Sequence, residues 1–362
     1  MCRPKKIVLL GFISGVGGAQ KSLIMLANEL ANRGYDITLI SFHNDKPHFE
    51  ISKKVKCEFI EDTKGGKLNK VYKRFILLKN KLNEIKPDIV ISFWLQLVVF
   101  AAMMSKRIGF KTIYSERADP TAKQYSNLSK IVRSLVFRRV DGFVFQIEGA
   151  KQIFSESVQR KSAIIHNPVF IDSKNYVIPQ NKMKKIVNVG RLHPQKNQEL
   201  LLKAFAEISN EYPDRRLEIY GTGELEHELK QLTKELNLEG KVHFKGTSNQ
   251  LFKEIVDSEM FILSSDYEGM PNALMEGMAL GLPCISTDCR PGGAKELIRH
   301  KENGLLVSNG SINELAEAIR YFIRNNEEAE KMGSNAREII KTHSPTKIYS
   351  DWEKFIAKIY NG

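Results

Sequence analysis

Long apolar runs are missing from this sequence. No stretch approaches the ~20 consecutive apolar residues that a membrane-spanning helix needs, so the first expectation is a chain that does not cross a membrane. The opening MCRPKKIVLLGFISGVGG has the charge order of a short signal peptide, but its apolar run from Ile7 to Ile13 is brief and enters a Gly-rich turn, which suits a first β-strand better. Cysteine is scarce. Cys2, Cys57, Cys284 and Cys289 fit neither a zinc pair nor a redox pair, and reduced thiols in a cytoplasmic protein are the default reading. There is no Asp-x-Asp and no His, Cys or carboxylate cluster at metal-ligand spacing, so neither a bound divalent metal nor any other cofactor is expected. The chain also lacks a Gly-x-Ser-x-Gly nucleophile turn, and an activated-serine hydrolase is not supported.

What is present points to two domains. At 362 residues the chain exceeds the size at which single cores stop growing. Positive charge is unevenly spread: residues 1–170 hold 29 Lys/Arg against 14 Asp/Glu, and residues 171–362 hold 26 against 28, so the first half carries the whole excess. A basic half suggests an anionic partner, whether nucleic acid, an acidic membrane surface or a phosphorylated substrate.

Short β-branched runs alternate with helical-period segments, the pattern of βα units around a parallel sheet. The first series of strands is expected at Lys6 to Phe12, Asp36 to Phe42, Asp88 to Phe93, Lys111 to Ser115, Gly142 to Phe145 and Ala163 to Ile165. The second is expected at Lys185 to Val189, Arg216 to Tyr220, Val242 to Lys245, Met260 to Leu263, Pro283 to Ser286 and Gly304 to Val307. Between them, Asn167 to Met183 has two prolines and little periodicity and reads as a linker. The expected organisation is an α/β fold of two Rossmann-like, doubly wound domains, 1–170 and 171–345, facing an interdomain cleft. A final helix over 346–362 would pack its Trp352, Phe355, Ile356 and Ile359 stripe across the domain junction.

The most informative segment is Asp266 to Pro283, DYEGMPNALMEGMALGLP. Pro271 suits the start of a helix that Gly281 and Pro283 would end, which puts Glu268 in the entering loop and Glu276 inside the helix. The first-turn N–H groups and positive dipole end of such a helix favour an anion. Gly190-Arg191-Leu192-His193-Pro194-Gln195-Lys196-Asn197 follows the first strand of the second domain, and its two cations suit a diphosphate or are simply solvated loop charges. Gly221-Thr222-Gly223 repeats a glycine-rich turn after the next strand, with a role in the turn alone as the other reading. In the first domain, Gly15-Val-Gly17-Gly18 opens a helix and can bring amides to a phosphate or be a tight turn only; Gln20 before Lys21-Ser22 rules out a Walker A loop. Ser115-Glu116-Arg117-Ala118-Asp119-Pro120 closes the fourth strand as a charged turn toward the expected cleft. The segments Lys67 to Lys86 and Lys130 to Arg139 are basic and amphipathic. Their stripes face either a core or an anionic membrane. No helix-turn-helix, zinc-finger or RNP-type signature accompanies them, so nucleic acid is not expected.

Together, Glu268-x7-Glu276, Gly190-Arg191 with Lys196, the Gly17-Gly18 turn and Asn303-Gly304-Leu305-Leu306-Val307 resemble the retaining family-4 glycosyltransferases of the GT-B fold. The likeness spans nearly the whole chain. It is greatest to bacterial enzymes that extend lipid-linked sugars in capsule, exopolysaccharide and glycan assembly, where Ser-Glu-Arg-x-Asp-Pro and Phe145-Gln146 recur. The resemblance implies that Arg191 and Lys196 hold the diphosphate of a nucleotide sugar and Glu276 the ribose. Glu268 would contact the transferred sugar with the backbone of Gly269, Met270, Pro271, Asn272, Ala273 and Leu274 beside it; Gly17, Gly18, Gly221 and Gly223 join the donor-binding set. Many relatives carry a histidine in the first-domain loop near the anomeric centre where this chain has Glu116-Arg117, so these two become candidates for sugar contact. The implied partners are a UDP-linked donor, a lipid-linked saccharide acceptor and the anionic inner membrane surface, for a cytoplasmic, metal-independent enzyme. The competing readings are a GT-B epimerase or phosphorylase and a non-catalytic protein that binds an anionic surface.

Overall fold

The computed structural model describes residues 4–14, 17–42, 47–60, 66–117, 136–171, 179 and 182–362. Asp119, Pro120, most of Lys130 to Arg139 and most of the expected linker lie outside the described residues.

The chain divides into two compact units, one of residues 1–167 with 346–362, the other of residues 168–345. The first holds a seven-stranded sheet made of β1 (Lys6–Gly11), β2 (Asp36–Ser41), β3 (Lys56–Phe59), β4 (Ile89–Ser92), β5 (Lys111–Ser115), β6 (Gly142–Phe145) and β7 (Ser162–Ile164). Their order is β3-β2-β1-β4-β5-β6-β7, and every pairing is parallel. Such sheets are covered on both faces, which is why β1 and β2 are buried at every position after the first rather than at alternate ones.

Helix α1 (Gly18–Asn32) buries Leu23, Ile24, Leu26, Ala27, Leu30 and Ala31 on one stripe. Helices α2 (Lys67–Ile85) and α3 (Leu95–Ile108) meet through Phe75 and Phe100, whose rings stand edge to face at 5.6 Å. All twelve strands expected from the sequence are present within a residue or two; β3 was not expected. It is a half-exposed edge strand, KCEF, with no β-branched residue to mark it.

The second unit repeats the architecture with six parallel strands: β8 (Met183–Val189), β9 (Arg216–Tyr220), β10 (Val242–Gly246), β11 (Ser258–Leu263), β12 (Cys284–Asp288) and β13 (Leu305–Ser308). The order is β10-β9-β8-β11-β12-β13. In both sheets the order reverses beside the first strand, between β1 and β4 and between β8 and β11. Ligands of doubly wound sheets bind outside the carboxyl ends of the strands at such a switch point. In the second unit, the segments leaving β8 and β11 are those that carry Arg191, Lys196 and Glu268.

Within the second unit, helices α4 (Gln198–Ile208) and α5 (Asn272–Ala279) follow those two segments. The last helix, α6 (Pro345–Asn361), belongs to the first unit: Ile348, Tyr349, Trp352, Phe355, Ile356 and Ile359 share one core with β1, β2, β4 and α1. Gly142 makes room for it, since a Cβ there would stand 2.8 Å from Ile359 Cδ1. Arg33, the residue that caps the end of α1, clasps Glu353 at 2.6 Å.

Candidate active site

The segment after β8 is held from below by glycines. Gly190 donates its N–H to Tyr220 O at 2.9 Å, and Leu192 to Thr222 O at 3.1 Å. A Cβ at Gly221, whose φ is +132°, would lie 2.0 Å from Gly190 O, and one at Gly223 would lie 2.1 Å from Leu192 O. Side chains there would push the Arg191 loop off its seat. Gly221 and Gly223 thus support the loop that carries the cation.

The loop then forms a 3-10 turn, Pro194–Lys196, capped by His193 Nδ1, which accepts the Gln195 N–H at 3.1 Å. Asn197, in the left-handed region at φ 43°, caps α4 through its Oδ1 and donates from Nδ2 to Asp266 at 2.7 Å. Gln198 fastens the other side by donating to Arg191 O at 3.2 Å. Arg191 itself is exposed.

The β11 segment is stitched to this turn. Asp266 N–H donates to Gln195 O at 2.9 Å, Ser264 Oγ to Lys196 O at 3.0 Å, and Gln195 Nε2 to Tyr267 O at 2.9 Å. The result is direct contact between two side chains 72 positions apart: Lys196 Nζ lies 2.5 Å from Glu268 Oε1. Ser265 Oγ donates to the same oxygen at 2.8 Å, and Gln195 Nε2 stands 3.5 Å from Oε2. Glu268 is buried, 7% exposed, and those donors satisfy its oxygens in place of water. Thr287 steadies Ser265 by donating to its carbonyl at 2.6 Å, and Glu268 N–H donates to Arg290 O at 2.8 Å. Burial, and after it the Glu268 charge, push the neighbouring Cys289 thiol up to about 12, which makes it a neutral packing group and no nucleophile.

From Glu268 the chain enters α5. Pro271 is the residue before the first helical turn, and Asn272 begins the helix. Gly293 must be glycine for the entering loop to close, because a Cβ there would meet Gly269 O at 1.9 Å. Met270 and Pro271 are buried, Asn272 and Ala273 half-buried, and Leu274 lies in the core. Glu276 follows one turn into the helix and is half-buried. Gly277 lets α5 press on Phe261, where a Cβ would stand 2.9 Å from the ring. The second unit therefore gathers Arg191, Lys196, Glu268, Glu276 and a helix N-terminus around one switch point. No cluster of three metal-ligating side chains occurs among the described residues.

The first-unit candidates are organised differently. Glu116, 4% exposed at the end of β5, accepts from Tyr114 OH at 2.9 Å and from the Arg117 N–H at 3.1 Å. Arg117 turns toward its own core. Its guanidinium carbon stands 4.2 Å from the Phe93 ring centroid and 5.8 Å from that of Trp352, and Nη1 donates to Asn167 Oδ1 at 2.7 Å. Gln146 Nε2 donates to the same oxygen at 2.6 Å. Burial draws the Arg117 guanidinium down to about 10. A sugar contact by Arg117 would require it to leave this aromatic seat. Gly17 precedes α1 and Gly18 begins it, both exposed, while Gly15 lies outside the described residues.

Sequence comparison matches residues 16–173 to the model of Glycosyltransferase Family 4 and residues 172–339 to that of Glycosyl transferases group 1. The chain is a family-4 glycosyltransferase. Among curated relatives, an uncharacterized glycosyltransferase of Haemophilus influenzae is 28% identical over 94% of this chain and 96% of its own length. A second relative, from Campylobacter jejuni, is N-acetylgalactosamine-N,N'-diacetylbacillosaminyl-diphospho-undecaprenol 4-alpha-N-acetylgalactosaminyltransferase. It is 29% identical over 97% of this chain and 99% of its own length. In fold, this glycosyltransferase matches Anabaena Alr3699/HepE, solved in complex with UDP, with a TM-score of 0.83 at 19% identity over 98% of this chain and 100% of that one. Sucrose-phosphate synthase from Thermosynechococcus elongatus gives 0.84 at 17% identity, over 99% of each chain. The two Rossmann-like units are those of the GT-B fold.

The sequence pointed to Lys196 and Glu268 separately; Ser265, Gln195 and Asn197 emerge only from the structure. Gln195 and Asn197 sat inside a motif read for its cations, and nothing marked Ser265.

Proposed function

We propose that this glycosyltransferase moves a hexose or N-acetylhexosamine from a UDP-linked donor to a lipid-linked saccharide in surface polysaccharide or glycan assembly, with retention and without a metal ion. The observation that carries the proposal is the convergence of Arg191, Lys196, Glu268 and the α5 N-terminus at the β8/β11 switch point. Arg191 and Lys196 would bind the diphosphate, Glu276 the ribose, and Glu268 with the Gly269 to Leu274 backbone the transferred sugar. As the anomeric C–O bond breaks, its electron pair passes to the leaving phosphate oxygen, where these cations and the helix dipole stabilise the charge. The acceptor oxygen forms the new bond and its proton goes to the departing phosphate. A front-face route fits Glu268 better than a covalent one, because Ser265 Oγ donates to Oε1 and Gln195 Nε2 stands at Oε2, and both lower its nucleophilicity. The lipid-linked acceptor and the polysaccharide context are supported by the Campylobacter relative and by an amylovoran biosynthesis glycosyltransferase of Erwinia amylovora, 24% identical over 97% of this chain.

The test is transfer of radiolabelled sugar from a panel of UDP-sugars to a polyprenyl-diphosphate saccharide. Labelled lipid product supports the reading. Sugar-nucleotide isomerisation without acceptor would favour an epimerase, a requirement for inorganic phosphate a phosphorylase, and no turnover with any donor a binding protein.

Action at the cytoplasmic membrane face is part of the same proposal. No described helix is long and apolar enough to cross a membrane. Helix α2 instead presents Val71 at 46% and Tyr72 at 64% exposure beside Lys70, Lys73 and Arg74. Exposed apolar side chains next to the exposed Lys73 suit an anionic surface, where a basic residue contributes about 1 kcal/mol. Tyr72→Glu with Lys73→Glu is expected to lower binding to phosphatidylglycerol vesicles by about tenfold or more. Unchanged vesicle binding would remove α2 from the proposal.

A further inference from the structure

We propose that Glu268 competes with the donor's diphosphate for Lys196, and that recapture of the lysine after transfer helps to expel the nucleoside diphosphate product. The inference rests on the reading that Lys196 binds that diphosphate. The ammonium has its partner within the protein: Nζ is 2.5 Å from Glu268 Oε1, with the two side chains only 20% and 9% exposed. An anion that takes Lys196 must therefore either displace this carboxylate or crowd a second negative charge against it.

The surroundings suit an exchange of partners. The lysine backbone is fixed, donating to His193 O at 2.9 Å and accepting from Ser264 Oγ at 3.0 Å. Its stem lies along Gly190, where a Cβ would meet Cδ at 3.2 Å and Cε at 3.4 Å, so the ammonium can swing with little movement of the chain. Glu268 keeps Ser265 Oγ at 2.8 Å and Gln195 Nε2 at 3.5 Å when the lysine turns away, and is not left orphaned.

An intact donor gives the carboxylate sugar hydroxyls in return for the lysine. The product does not. Once the sugar has gone, Glu268 has lost those partners and draws Lys196 back from the diphosphate. The carboxylate thereby favours the intact donor over the product, a discrimination that the phosphate contacts alone would not make.

Calorimetric titration with UDP as the probe tests this on the full-length chain and on Glu268→Gln, Lys196→Ala and the double variant. Glu268→Gln is expected to tighten UDP binding by about tenfold, equivalent to about 1.4 kcal/mol. The gain should vanish in the Lys196→Ala background and be absent for uridine, which carries no phosphate. Glu268→Asp, which withdraws the charge from the lysine without removing it, should give a smaller gain and decides the matter if the glutamine variant does not fold. UDP affinity that is unchanged or weaker in folded Glu268→Gln overturns the competition, as does tightening that survives without Lys196 or extends to uridine. If Lys196→Ala leaves UDP binding untouched, the diphosphate role of Lys196 falls, and the competition with it.

Discussion

Lys196→Ala is expected to lower sugar-transfer turnover by about 10²- to 10³-fold, the cost of removing one preorganised group from a developing oxyanion. The side chain is placed for that task by five hydrogen bonds between the 193–197 turn and the 264–268 segment that do not involve its ammonium. The loop should therefore keep its shape when Nζ is removed. Loss of the ion pair leaves Glu268 with Ser265 and Gln195 only, so the variant should also lose about 1–3 kcal/mol of stability, short of unfolding. Lys196→Arg restores charge but brings a planar fork in place of a point donor, and is expected to recover activity only in part. Steady-state kinetics beside thermal unfolding separates the two effects. Turnover within threefold of the parent in folded Lys196→Ala would remove Lys196 from the leaving-group site.

The largest stability effect is expected at Trp352, the bulkiest fully buried side chain of the described residues. It stacks on Phe93 with ring centroids 6.2 Å apart, and Arg117 lies over both rings. Trp352→Ala should destabilise the first unit by about 3–5 kcal/mol, the range for deleting a buried aromatic. That is a large share of the roughly 5–15 kcal/mol typical of folded domains. Differential scanning calorimetry reads it as a lower unfolding temperature. A loss below about 1 kcal/mol would mean that α6 contributes little to this core, contrary to the packing of its six buried residues.

The fold was largely legible because its strands are the apolar runs that a sheet buried on both faces requires. The α5 start was legible from Pro271, and its end from Gly281, which adopts φ +76° just beyond the helix. What the sequence could not display was pairing across distance. Lys196 and Glu268 each read as a ligand contact, and only the register that sets β8 beside β11 brings them onto one another. Arg117 read as a charge facing a ligand, because the aromatic seat that receives it comes from β4's end and from a helix more than two hundred residues later. Edge strand β3 lacked the burial that writes a strand into a sequence.

On the proposed function, the second unit holds the nucleotide at its β8/β11 switch point. Hydrogen exchange of the full chain with and without saturating UDP tests it most directly, because backbone amides that close over a ligand exchange more slowly. Protection is expected to concentrate in Gly190 to Asn197 and in Glu268 to Glu276, and to weaken in both with Arg191→Ala. Protection confined to the first unit, or UDP binding that leaves both of these segments unchanged, would contradict it.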